Sequence, residues 1–189
     1  MAEQYNDYVS VPHATYDQFK KATEGKGYNV NNDFWGNQCW DYVALLYYQY
    51  GLYLYTGTGG YAKTCWTQKK AQNAKSPFIA VNGITSIKRG DVVVLNSVPG
   101  NDAGHIALAD ENYRGMYINL LGQHQGGVGI HYPSYVKKNF YIGSRFLGIF
   151  RNTEWQNVPP TPPTPSDEGK RKDKFPFPVA WQHWNNFKR

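Results

Sequence analysis

The order of patterns along the chain predicts an α+β fold, with N-terminal helices packed on an antiparallel sheet of about five to six strands. Helical periodicity is confined to residues 14–73, and short β-branched or aromatic runs follow from residue 78 onward. Each of those runs is bounded by Gly, Pro, Asn or Asp, which is how strands are punctuated.

Residues 14–24 read as a short amphipathic helix ended by Gly25 and Gly27. Residues 28–37 are turn chemistry, rich in Asn, Asp and Gly. Residues 38–50 carry a helical pattern, with Tyr42, Val43, Leu45, Leu46 and Tyr50 on or near one face and Gly51 as the stop. Cys39 falls in the first turn of this helix. A third helix is expected over residues 62–73. Strands are expected at 78–81, 91–95, 105–109, 116–121 and 146–150, and His105 opens the third of them. The pattern therefore sets a helix-borne cysteine against a strand-borne histidine.

One break divides the chain. Val158-Pro159-Pro160-Thr161-Pro162-Pro163-Thr164-Pro165 lacks the backbone donors for helix or sheet and reads as an extended spacer. The expected organisation is one domain over residues 5–157, a Pro/Thr-rich linker over 158–166 and a basic aromatic tail over 167–189. The tail is too short to fold alone. It reads as a surface contact, as a docking peptide, or as the stub of a longer chain.

The formal net charge is +6, which suits polyanionic partners without choosing among them. The densest basic run, Lys170-Arg171-Lys172-Asp173-Lys174, is interrupted by an acid, so no nucleic-acid partner is expected. The two cysteines, Cys39 and Cys65, make no disulfide framework, and Cys65 reads as a buried free thiol. Neither a secretory signal nor an apolar run of about 18 residues is visible, so a soluble protein made in a cytoplasm, with no transmembrane segment, is expected.

A thiol attacks as its thiolate, and a helix N-terminus or a neighbouring imidazolium lowers the pKa that controls it. Cys39 has the first feature, and His105 supplies the second if its strand lies against the helix start. A third polar group then orients the imidazole ring and fixes its tautomer.

Four stretches occur in a telling order: Gly36-Asn37-Gln38-Cys39-Trp40-Asp41-Tyr42, Arg89-Gly90-Asp91-Val92-Val93-Val94, Gly104-His105-Ile106-Ala107-Leu108 and Leu121-Gly122-Gln123-His124-Gln125-Gly126-Gly127. Together they resemble the CHAP family, the cysteine- and histidine-dependent amidohydrolase/peptidase domains of phage endolysins, virion-associated lysins and bacterial autolysins. The likeness runs from about Phe19 to Arg151. It implies a papain-like fold and cleavage of an amide bond in peptidoglycan. By position, Cys39 is the nucleophile and His105 the base.

The third member in the family is commonly Asn or Glu on the next strand. Here the Glu position is Gly122 and the Asn position is His124. His124 through its neutral ring nitrogen, or Gln123 through its amide oxygen, is then the orienting residue. The Cys39 N–H and the side chain of Gln38 or Asn37 are oxyanion donors to consider, and Trp40 lies beside the groove together with Trp35 and Trp66. Some members bind calcium just before the cysteine, and the matching positions are Asn31, Asn32, Asp33 and Asp41. Two carboxylates are few for an ion that takes six to eight oxygens. The expectation is therefore no required cofactor, with calcium as an option at Asn32, Asp33 and Asp41. His13 and His131 read as solvated loop residues.

The resemblance implies a peptidoglycan hydrolase of a Gram-positive cell wall, an N-acetylmuramoyl-L-alanine amidase or a peptide endopeptidase, carried by a phage. Wall teichoic acid and virion proteins join peptidoglycan as expected partners. A leaderless lysin would reach the wall by holin release or on the virion. The alternative is a catalytically weakened wall-binding or virion module that keeps the fold.

Overall fold

The computed structural model describes residues 4–5, 9–30, 36–125 and 133–156. The expected linker and tail, His131, and the loop positions Asn31, Asn32, Asp33 and Trp35 lie outside the described residues.

The first short strand, β1 (Gln4–Tyr5), pairs in parallel with β2 (Gly27–Tyr28). Between them runs α1 (Tyr16–Thr23), started by Thr15, whose hydroxyl accepts from the Gln18 N–H at 3.1 Å. The central helix α2 (Cys39–Gln49) follows, then two short helices, α3 (Thr64–Thr67) and α4 (Lys70–Asn73). The strands that follow are β3 (Phe78–Val81), β4 (Val92–Leu95), β5 (His105–Ala109), β6 (Tyr117–Gly122), β7 (Tyr135–Tyr141) and β8 (Phe146–Asn152), and a turn of helix, α5 (Thr153–Gln156), comes after them. Strands β3 to β8 form one six-stranded sheet in the order β3-β8-β4-β5-β6-β7, with every pairing antiparallel.

Alternation along the strands divides the core into two layers. Val92, Val94, Ile106, Leu108, Leu121 and Phe150 pack toward α1 and α2. Val93, Leu95, Ala107, Ala109, Ile118, Leu120 and Ile149 belong to a second cluster, with Phe140 and Phe146 against it. Helix α2 is apolar on nearly every side because it is covered on nearly every side: Tyr42 to Tyr47 are all buried. Its Tyr47 ring stacks on Phe78 of β3 at 4.0 Å between centroids, which anchors the helix to the edge of the sheet.

Two expectations needed correction. The single third helix is two short ones, because side chains there offer the backbone other partners. Thr64 Oγ1 accepts from the Gly57 N–H at 2.9 Å, Gln68 Oε1 accepts from the Thr58 N–H at 2.9 Å, and Asn73 donates to the Tyr55 and Cys65 carbonyls. The sheet also gains β7, whose sequence Tyr-Val-Lys-Lys-Asn-Phe-Tyr has no run of apolar residues. It is an edge strand, and exposed lysines are what edge strands carry to discourage further pairing.

The Arg89-Gly90-Asp91 stretch has a structural reason. Asp91 is fully buried, accepts from the Lys88 N–H at 2.7 Å, and pairs with Arg151 of β8 through Nε at 2.9 Å and Nη2 at 2.7 Å. This fork-on-fork pair fastens the start of β4 to β8. Gly90 has φ +90°, and a Cβ there would come within 3.0 Å of the Trp155 ring.

Candidate active site

The Gln38-Cys39-x-Asp41 sequence builds the N-terminus of α2. Gln38 is the N-cap and Asp41 is the third helical residue. The Asp41 carboxylate reaches back to accept from the Gln38 N–H at 2.9 Å, and its other oxygen accepts from the Val30 N–H at 2.8 Å. One buried carboxylate thus holds the helix start and the strand-to-helix loop together, which fixes where Cys39 projects. Changing Asp41 to Ala is expected to cost about 1–3 kcal/mol by stranding those two N–H groups. Urea unfolding monitored by tryptophan fluorescence checks this, and an unchanged midpoint would contradict the role.

This geometry also bears on calcium. The Asp41 oxygens already serve backbone donors, and among the described residues no group of three or more His, Cys, Asp or Glu side chains is placed to hold a metal ion. Asn32 and Asp33 lie outside the described residues. The described donors alone fall well short of the six to eight oxygens calcium takes.

Cys39 is a free, half-buried thiol. Backbone N–H groups of Ile106, Trp40 and Cys39 itself face the sulfur and favour thiolate. Burial outweighs them, with the Asp41 charge adding to it, and pushes the thiol pKa up to about 11. The expected depression by the helix terminus is therefore present but overridden. The resting residue is a neutral thiol.

The contact with Ile106 locates the sulfur on the sheet. It lies at the peptide group that joins His105 to Ile106, at the beginning of β5. His105 follows Gly104, whose φ of +73° and lack of a side chain are both required. A Cβ at Gly104 would sit 2.4 Å from the Leu95 carbonyl oxygen and 2.9 Å from Lys63 Cβ. Glycine at this position lets β5 begin tight against β4.

The His105 ring stacks on Phe140 of β7, 5.3 Å between centroids and 11° between planes. The Arg145 guanidinium lies 5.5 Å from the centroid of the same Phe140 ring. Burial pushes the His105 pKa down to about 4; a contact with the Gln125 side chain opposes the drop, and the charges of Arg145 and His124 add to it. At neutral pH the ring is an uncharged base.

The two residues expected to orient His105 are placed otherwise. Gln123 is fully buried and its carboxamide clamps β2: Oε1 accepts from the Tyr28 N–H at 2.8 Å, and Nε2 donates to the carbonyls of Tyr28 at 2.9 Å and Gln38 at 3.1 Å. Its amide oxygen is committed to Tyr28 and does not serve His105. His124, in the left-handed region at φ 50°, shares a hydrogen bond of 2.9 Å between Nδ1 and Gln38 Oε1. His105 feels it as a neighbouring charge. The residue of this stretch that contacts the His105 ring is Gln125, which sequence reasoning passed over; the signal was the run of three polar residues, Gln123-His124-Gln125, directly after an apolar strand.

A cleft of about 430 Å³ opens beside the sulfur, lined by Gln38, Cys39, Trp40, Tyr53, Tyr61 and Ala103 among others. Trp40 is fixed there by its Nε1 donating to the Leu54 carbonyl at 3.2 Å and by a tilted contact with Tyr53 at 6.0 Å. Tyr53 and Tyr61 are 52% and 41% exposed, so the cleft wall is aromatic and wet at once. Asn37 is buried in the loop behind Gln38 and is not part of this lining. Trp66 packs on Phe150 at 5.2 Å, and Cys65 is fully buried with its thiol pKa raised, so both belong to the core side.

A family model described as the CHAP domain matches residues 24–124, more than half of the chain. The chain belongs to the CHAP domain family. The matched span holds Cys39, His105 and His124 and ends one residue before Gln125. Among relatives of this CHAP domain, the D-alanyl-L-alanine endopeptidase of Streptococcus phage B30 is 33% identical over 116 residues, which are 60% of this chain and 25% of that protein. The chain therefore spans a quarter of that relative's length. Among solved structures, the wild-type endolysin LysIME-EF1 superposes with a TM-score of 0.56 at 20% identity, over 72% of this chain and 61% of that one. That likeness is one of fold. Among the described residues of the CHAP domain, no helix is long and apolar enough to cross a membrane.

Proposed function

We propose that this CHAP domain is the catalytic part of a phage lysin that hydrolyses a peptide bond in the peptidoglycan of a Gram-positive wall, with Cys39 as nucleophile and His105 as base. The observation that carries the reading is the position of the Cys39 sulfur: at a helix N-terminus, beside an open cleft, and against the peptide group that follows His105. Endopeptidase action is supported by the related phage enzyme, whose name gives that activity.

In the resting state both groups are neutral, a thiol pushed up to about 11 and an imidazole pushed down to about 4. Proton transfer to His105 accordingly accompanies attack of sulfur on the scissile carbonyl carbon. The carbonyl oxygen takes negative charge, for which the Cys39 backbone N–H and the Gln38 carboxamide are the nearby donors. The bond to nitrogen then breaks as His105 returns the proton to the leaving amine. Water, deprotonated by the same ring, hydrolyses the thioester and frees the carboxylate. Trp40, Tyr53 and Tyr61 offer the flat faces on which a wall fragment packs.

Gram-positive sacculi incubated with the protein and with a Cys39→Ala variant test this, with mass spectrometry of the released fragments. New peptide amino termini from the wild type alone are the expected result. New lactyl carboxyl groups would replace endopeptidase by amidase. Equal, intact walls in both incubations would overturn the hydrolase reading for that wall.

A further inference from the structure

Two buried polar atoms on neighbouring side chains stand without a hydrogen-bond partner of normal geometry among the described residues: Nε2 of His105 and Oε1 of Gln125. They are complementary, since a ring N–H donates and an amide oxygen accepts. Gln125 is 1% exposed, so solvent does not satisfy its oxygen.

The orientation of that carboxamide is dictated by its other end. Nε2 of Gln125 lies 3.1 Å from the Leu120 carbonyl, 3.1 Å from the Gly122 carbonyl and 2.7 Å from the Tyr135 carbonyl. Carbonyl oxygens only accept, so the nitrogen must be the end that faces them, and the oxygen is turned away. The backbone of Gln125 is fixed too, since its carbonyl accepts from the Tyr135 hydroxyl at 2.9 Å. Gly122 makes the room: a Cβ there would lie 3.6 Å from Gln125 Cδ and 3.1 Å from Ala107 Cβ, two residues along β5 from His105. A larger side chain at 122 would compete for the space the carboxamide fills.

We propose that Gln125 is the positioning residue of the site, its amide oxygen accepting from Nε2–H of His105 and so leaving Nδ1 as the basic nitrogen. This rests on His105 being the base of the proposed hydrolase. Gln125 acts through His105 and touches no substrate. In the resting structure the contact is looser than a regular hydrogen bond, as catalytic contacts commonly are before substrate binds. A neutral amide orients the ring without adding charge, which accords with a histidine pKa that stays below its ordinary value despite the contact.

The test reads the ring directly in the unmodified protein. Nitrogen-15 NMR of histidine-labelled chain, with the His105 signals assigned from a His105→Ala sample, reports which ring nitrogen carries the proton at neutral pH. Nε2–H is the expected tautomer, and Nδ1–H, read in the wild-type chain itself, would overturn the proposal. A Gln125→Ala variant then separates positioning from binding: kcat falls about 10²-fold or more with KM within a few-fold, and the His105 tautomer becomes mixed. Unchanged kcat and tautomer in a folded Gln125→Ala protein would overturn the role while leaving the Cys39 reading intact. An active Cys39→Ala protein would instead sink Cys39 as the nucleophile, and the tautomer measurement would still decide the Gln125 contact.

Discussion

Replacing His105 by Ala is expected to lower kcat on wall fragments by about 10⁴-fold or more, the scale on which removal of a nucleophile's base is felt. The reason lies in the resting protonation states. A thiol with its pKa near 11 is almost wholly protonated at neutral pH, so without a base there is almost no nucleophile. The same states set the pH dependence. The base works when unprotonated, so kcat/KM should rise with pH along an acid limb set by His105. Burial pushes that pKa down to about 4, which places the limb below the ordinary imidazole value of about 6.5. A limb at or above 6.5 would mean that the ring is solvated or paired with a charge in the working enzyme. Stability follows in the same direction. Because the folded chain disfavours the imidazolium, the unfolded chain takes up the proton first as pH falls below about 6.5. The stability His105 contributes as a neutral ring is therefore lost between about 6.5 and about 4.

The largest stability effect is expected at Asp91. Its carboxylate is fully buried and spans the Lys88 N–H and both Arg151 contacts. Asp91→Ala leaves the Arg151 guanidinium, 14% exposed, without its counter-ion, at a cost of about 3–5 kcal/mol. Arg151→Met should cost a similar amount, and the double variant Asp91→Ala/Arg151→Met less than the sum, since no charge then remains unpaired. Chemical denaturation of the three proteins checks this; additive losses would mean that the pair is not coupled.

Much of the fold was legible in the sequence because the signals were local. The apolar run of β4, the glycine before His105 and the polar N-cap of α2 each declare themselves within a few residues. Strand β7 was not legible, because an edge strand is defined by what covers it, and Lys137 and Lys138 read as loop when no partner is known. The break between α3 and α4 was hidden for a related reason: Thr64, Gln68 and Asn73 turn to carbonyl and amide groups that only the tertiary structure brings near.

At the site, Cys39 and His105 stand out by their settings, a helix start and a strand start. The residue that steadies the histidine does not. Gln123, His124 and Gln125 are neighbours of similar chemistry, and only their hydrogen bonds tell them apart. Gln123 is spent on Tyr28, His124 meets Gln38, and Gln125 turns its oxygen from three carbonyls toward the ring. The direction of the thiol pKa was also beyond the sequence, since burial and the helix terminus oppose each other and only depth decides.

If Cys39 attacks the wall, the bond it forms can be caught. Wild-type protein mixed with a purified wall peptide and quenched in acid within milliseconds should show, by mass spectrometry, a thioester adduct on the fragment that contains Cys39, equal in mass to the acyl half of the substrate. Substrate turnover with no adduct on Cys39, or turnover undiminished in Cys39→Ser, would contradict the account.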